Sequence, residues 1–343
     1  IHGMTTEEQA NVGFLQGFGA KGAFDFPNLR ESLGDRFSLQ SIAAAPDSTP
    51  EITPDSVEVL VLAGPTQRLD SLAQEAVEGY LGAGGSILLL LEPIELNPQN
   101  PTPIPVSSGL EPLLDEKGIR FNSSLVVDLA SSEQVSLGQR GFFNVIAPYP
   151  LWPIVAPSGD HVLTRGLNSM TLGWSGALEL TDQASVIPLW QTTEAGGLRG
   201  PGLPILPDQP WDLPRDQLGV RVVAAAYDPA GVEDSEPETD SPDGRMIVVG
   251  DATFLDPQFA QANPQNVTFA ANAIDWLAKD ESLIRIRSKN RTPPALAFTS
   301  DWSRNAMKWG NLLGVPILYV LVGVFRIAGR RRRAEARWKE VVS

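Results

Sequence analysis

The sequence predicts an α/β fold: a doubly wound, mostly parallel sheet that carries a β-rich insertion and is followed by a C-terminal transmembrane helix. Three observations predict it. Residues 57–93, VEVLVLAGPTQRLDSLAQEAVEGYLGAGGSILLLLEP, read as strand, helix and strand, and a similar signature returns over residues 246–278. Residues 309–329 hold a single charge, Arg326, ahead of four consecutive arginines.

The first apolar run, at Val12, opens into Gly17-Phe18-Gly19-Ala20-Lys21-Gly22, three glycines in the G-x-G-x-x-G spacing of dinucleotide-binding turns. Such turns start a helix at once, so that its N-terminus meets the pyrophosphate, and the next strand ends in a carboxylate for the ribose. Here Phe24, Asp25, Phe26 and Pro27 intervene, and Pro27 is placed to open a helix over residues 28–33. The next strand, residues 37–42, runs into Ala43-Ala44-Ala45-Pro46. The acid is missing. The glycines therefore read as a sharp strand-to-helix loop that needs them for its own backbone, and no cofactor is expected.

In residues 57–93, Val57 to Leu62 form a strand and Asp70 caps a helix. Its apolar positions Leu72, Ala73, Ala76, Val77, Tyr80 and Leu81 follow the helical period, and Gly82, Gly84 and Gly85 end it. Ile87 to Leu91 are apolar without interruption, as in a parallel strand covered on both faces. The unit reads as a right-handed crossover. Near the end, Met246 to Val249 form a strand, Gly250-Asp251 turn out of it, and a helix over residues 266–278 aligns Val267, Ala270, Ile274 and Leu277. The last strand thus returns to the sheet after an insertion spanning residues 97–243 of a globular part that covers 5–287. The insertion is rich in proline, glycine and short β-type runs, SLVVDL, FFNVIA and GVRVVAAAY among them, and reads as mostly antiparallel strands. Residues 231–244 carry six acids in fourteen positions without the spacing of a calcium-binding EF-hand loop, and read as a solvated hairpin loop.

Composition narrows the chemistry. With no cysteine among 343 residues there is no disulfide, thiol nucleophile or thiolate metal site, and only His2 and His161 supply imidazole. The start, Ile1-His2-Gly3-Met4, reads as an addition to a piece of a longer chain, with any segment that exports the body expected upstream. A serine nucleophile would need G-x-S-x-G, which Gly173-Trp174-Ser175-Gly176 does not match. No catalytic residue and no metal ligand is assigned. The candidate surface site is Asp251, at the carboxyl end of a strand where doubly wound folds place their ligands, with Gly17, Gly19 and His161. The preferred reading of Asp251 itself is a turn or helix-cap aspartate that satisfies backbone donors. Trp152, Trp174, Trp190 and Trp211 fall in the insertion, either lining a groove or filling small cores.

Charge is distributed unevenly. Before Ser303 there are 17 basic and 39 acidic residues, a net of −22, which repels nucleic acid. A basic linker, residues 288–308, leads to the span at 309–329. At 1.5 Å per residue, residues 310–325 cover about 24 Å against roughly 30 Å of hydrocarbon, so Arg326 must snorkel. Trp309 and Tyr319 are interface-type aromatics, and Arg330, Arg331, Arg332 and Arg333 begin a basic tail, residues 330–343, that marks the cytoplasmic side. The acidic body is then expected outside the cytoplasm, at the inner membrane.

Together these stretches resemble the GldG family of auxiliary subunits of ABC transport systems, named for bacterial gliding motility. The resemblance rests on VGFLQGFG, on the 57–93 unit from VLVLAGP onward, on LLDEKGIRFNSSLVVD, on VVGDATFLDPQF, on NVTFAANAIDWLAKDESLIRIRSK, and on the terminal span with its arginines. The middle stretch PYPLWPIVAPSGDHVLTRGL is also similar. Where family members commonly carry GHGE, this chain has Gly17-Phe18-Gly19-Ala20, without histidine or glutamate. The resemblance implies a Rossmann-like domain related to the GIFT domain of intraflagellar transport proteins. It also implies an ABC permease and ATPase as separate partner chains and no established catalytic activity of its own; whether the chain forms a homo- or hetero-oligomer is left open by the sequence.

Overall fold

The computed structural model describes residues 9–97, 100–140, 143–181, 185–200, 202–229 and 244–278. The first part consists of β1 (Ala10–Gln16), α1 (Pro27–Leu33), β2 (Phe37–Ala43), β3 (Val59–Ala63), α2 (Ser71–Gly82) and β4 (Ser86–Leu90). The insertion follows with β5 (Ile94–Asn97), β6 (Asn100–Pro105), α3 (Glu111–Glu116), β7 (Ile119–Asp128), β8 (Ser132–Arg140) and β9 (Phe143–Pro157). It continues with β10 (Met170–Thr171), β11 (Gly176–Leu180), β12 (Val186–Gln191), β13 (Gly196–Arg199) and β14 (Val222–Tyr227). The chain then closes the domain with β15 (Met246–Val249), α4 (Pro257–Ala262) and α5 (Pro264–Leu277).

The main path of the sheet is β2-β1-β3-β4-β15, then β14-β12-β9-β10. The first five strands are parallel, and β15 does return beside β4, with Ile247 opposite Leu88. From β14 onward every pairing is antiparallel, as are those of β7, β8, β11 and β13. The sheet is thus mixed: the five parallel strands form the core that was expected, and the antiparallel strands of the insertion bring the total to thirteen. The physical reason lies in the insertion, whose strands extend the edge that β15 would otherwise leave open.

Alternate residues of the central strands feed two cores. Val59, Val61, Leu88, Leu90, Ile247 and Val249 pack on the face that holds α1 and α5, through Leu29, Leu33, Phe269 and Ile274. Leu60, Leu62, Ile87, Leu89, Met246 and Val248 pack on the opposite face against Ala73, Val77 and Leu81 of α2. This explains the unbroken apolar run of β4: every position is inside. Asp70 caps α2, its Oδ1 accepting the Ala73 N–H at 2.9 Å. At the other end Gly85 lies under the Tyr80 ring, where a Cβ would sit 2.3 Å from ring carbon. The last helix opens at Pro264, two residues earlier than its apolar stripe alone suggests, because proline suits the first helical turn.

Among the described residues no helix is long and apolar enough to cross a membrane. The acid-rich residues 231–243, the linker, and the expected span with Trp309, Tyr319, Arg326 and Arg330 to Arg333 lie outside the described residues.

Candidate functional site

Because β1, β3, β4 and β15 run parallel, their carboxyl ends share one edge of the sheet. The loop after β1 turns sharply there, with Gly17, Phe18 and Gly19 all at positive φ (138°, 52° and 78°). A Cβ on Gly17 would lie 2.0 Å from the Ala44 carbonyl oxygen, and one on Gly19 would lie 2.1 Å from Thr66 Oγ1. Glycine is required by chain packing, and α1 begins only at Pro27, so the helix start that phosphate binding needs is not beside the loop. The loop then brings Lys21 across to β3, its N–H donating to the Ala63 carbonyl at 2.8 Å.

A cavity of about 630 Å³ opens at this edge. Gly19, Lys21, Gly64 and Thr66 bound it from the β1 and β3 loops, and Glu92 and Glu95 from the chain leaving β4. Thr253 and Asp256 follow β15, while Ile94, Leu96, Trp174 and Phe259 give it an apolar and aromatic side. Lys21 Nζ donates to Asp256 Oδ1 at 2.7 Å, with both side chains about one-third exposed (29% and 34%). Glu92 is half-buried, and Thr253 Oγ1 donates to its Oε2 at a long 3.5 Å. Burial first, and the neighbouring Asp251 charge next, hold the Glu92 carboxyl well above the usual carboxylate range despite the opposing pull of Lys21.

Asp251 is fully buried. Its Oδ2 accepts the Gly173 N–H and its Oδ1 the Thr253 N–H, each at 2.7 Å. Burial pushes its carboxyl up, the two backbone donors and Lys21 oppose, and the net position is about 7. It sits behind the cavity wall and ties the 173 loop to the end of β15. That tie matters because Trp174, the next residue, adopts φ +60° without being glycine. Its backbone N–H donates to the Leu151 carbonyl at 3.0 Å and its indole Nε1 to Tyr149 Oη at 3.0 Å, so the ring is fixed at both ends. Gly173 leaves room for the neighbouring ring: a Cβ there would lie 2.8 Å from Phe259 Cζ, which would have to move.

The four sequence-predicted residues therefore separate. Gly19 lines the cavity, Gly17 shapes the same loop, and Asp251 supports the wall from behind. His161 lies elsewhere, its Nδ1 accepting the Leu163 N–H at 3.3 Å and its ring edge-on to Trp276 of α5 at 6.0 Å. The tryptophans divide too. Trp190 is core, packed on Phe269, whereas Trp174 lines the cavity and Trp211 a second groove with Pro148 and Pro150.

A family model described as an ABC-type uncharacterized transport system matches residues 9–279. The chain belongs to this family. No curated protein matches it significantly. Among solved structures the mmIFT52 N-terminal domain is similar at 18% identity, with a TM-score of 0.50, covering 78% of this chain and 97% of that one, a likeness of fold. A cytoplasmic protein from Salmonella typhimurium LT2 (STM1381) has 12% identity and a TM-score of 0.39, covering 79% of this chain and 98% of its own. A glutamine amidotransferase from Thermotoga maritima has 7% identity and a TM-score of 0.38, covering 79% and 99%.

Neither of the two nucleophiles weighed from the sequence, a cysteine or Ser175, is available in this family member. There is no cysteine, and Ser175 is fully buried with its Oγ donating to the Gly176 carbonyl at 2.8 Å. The cavity's own polar residues escaped the sequence reading for two reasons. Glu92 stands directly after an apolar strand, as Asp251 does, and the rule that pointed to one could have found the other. The Lys21–Asp256 pair joins positions 235 residues apart, which no local pattern can signal.

Proposed function

We propose that this chain is a GldG-type auxiliary subunit whose acidic domain lies outside the cytoplasm, tethered to the inner membrane by residues 309–329. It works by contacting separate permease and ATPase chains of an ABC transport system rather than by catalysis. Family membership over residues 9–279 is the observation that carries this reading, since the family is an auxiliary component of such systems. The engaged Ser175 and the absence of cysteine support a non-enzymatic role, and the arginine cluster after the apolar stretch supports the orientation. The test is co-purification of the full-length chain with its permease and ATPase in mild detergent. A stable three-component complex is expected, and repeated isolation of the intact chain alone would overturn the proposal.

A second reading, small-ligand binding at the carboxyl edge of the sheet, is favoured by one observation, the formed cavity beside Glu92 and Trp174.

A further inference from the structure

We infer that the cavity at the carboxyl edge of the parallel strands binds a small organic cation, an ammonium group carried on an apolar frame. Its volume of about 630 Å³ falls within the range of roughly 300–1,000 Å³ common to small-molecule sites. The walls select the charge. Three carboxylates, from Glu92, Glu95 and Asp256, face the space against one ammonium, that of Lys21, which is already committed to Asp256 at 2.7 Å. An anion would meet Glu92 and Glu95 without a free counter-charge, because Lys21 is held by Asp256, whereas an ammonium would give both carboxyl groups a partner. A bare metal ion is a poor fit, because no group of three or more acidic, histidine or cysteine side chains among the described residues could hold one. The rest of the lining suits an organic cation: the indole of Trp174 and the ring of Phe259 offer aromatic surface, with Ile94 and Leu96 for an apolar frame.

The aromatic wall is held in place. Trp174 keeps a left-handed backbone that costs energy for a non-glycine residue, fixed by Leu151, Tyr149 and, through Gly173, Asp251. Asp251 is thus a positioning residue for the ring. Burial first, then the neighbouring Asp251 and Asp256, favour the protonated form of Glu92 when the cavity holds no cation, against the opposing pull of Lys21 and the Thr253 hydroxyl. An incoming ammonium favours the carboxylate, so binding and proton release are linked. This chemistry is independent of which transporter chains the domain meets, and failure of the co-purification would leave it standing.

The test is titration calorimetry of the full-length chain in mild detergent with three probes of one frame: benzylamine, benzyl alcohol and benzoate. Benzylamine is expected to bind at least about tenfold more tightly than the alcohol, a difference of roughly 1.4 kcal/mol, with no binding of benzoate. Repeating the titration in buffers of different ionisation heat should show proton release with benzylamine. Glu92→Gln should abolish that release and weaken benzylamine about tenfold, and Glu95→Gln, at an exposed position that leaves folding untouched, should weaken it a few-fold. Equal binding of the three probes, no heat from benzylamine up to about 10 mM, or affinity unchanged in both variants would overturn the inference.

Discussion

Asp251 is buried in the native state with its carboxyl pushed up to about 7, above the ordinary value of about 3.9 for an unfolded chain. The native state therefore holds a proton that the unfolded state has released between those limits. Stability from this group is complete below about pH 4 and falls as pH rises toward about 7, where the loss ends. Glu92 acts with the same sign. Urea midpoints measured across this window should decline with pH, and Asp251→Asn should flatten the decline. The variant also turns an amide N–H₂ toward either Gly173 N–H or Thr253 N–H, a mismatch of roughly 1–3 kcal/mol at all pH values. The slope, not the absolute midpoint, is the informative readout; an unchanged slope would remove Asp251 from the titration. Gly17→Ala is expected to be costlier than most single substitutions, about 2 kcal/mol or more, because φ +138° and the Ala44 carbonyl at 2.0 Å both oppose a Cβ. At this scale the sequence was legible where a residue's reason is local. The glycines of the first loop and the Asp70 cap could be read from their neighbours. Glu92 and Lys21 owe their importance to residues far along the chain, and nothing around them in the sequence records it.

For the elements, the strength of the sequence signal followed burial. β3, α2 and β4 were legible together because a two-faced strand is apolar at every position and a one-faced helix at every third or fourth. This gives a direct test. Leu88 and Leu89 are adjacent on β4 and point into opposite cores, so Leu88→Ala and Leu89→Ala should each cost about 2–5 kcal/mol in denaturant unfolding. In a strand with one solvated face, one of the two would be nearly silent. The cap on α2 is predicted to matter less: Asp70→Ala removes the acceptor of both Ala73 N–H and Asp47 N–H, giving a drop in melting temperature smaller than that of either leucine variant. The insertion was legible only as β-rich. Its pairings join segments far apart, such as β7 with β11 and β13, and β14 with β12, and register bulges between β7 and β11 and between β12 and β14 disturb strict alternation.

At the scale of the whole molecule, the sequence anticipated a parallel sheet whose last strand comes back after a long excursion, and β15 beside β4 is that strand. It did not anticipate that the excursion would build most of the sheet's strands, since strand count depends on long-range partners that periodicity does not identify. Among the described residues, both cores are assembled up to Ala278, with α5 covering one face and α2 the other. Buried Asp275 ties α5 back to Arg36 at 2.8 Å, within the same body. A chain lacking residues 302–343 should consequently remain folded. It loses the apolar stretch and nine of the 26 basic residues, becoming more acidic, which favours solubility without detergent. The expected outcome is a cooperative thermal transition by circular dichroism and elution at one discrete size from a detergent-free column. Aggregation of the shortened chain, or a non-cooperative melt, would mean that the removed residues complete a core the body does not close alone.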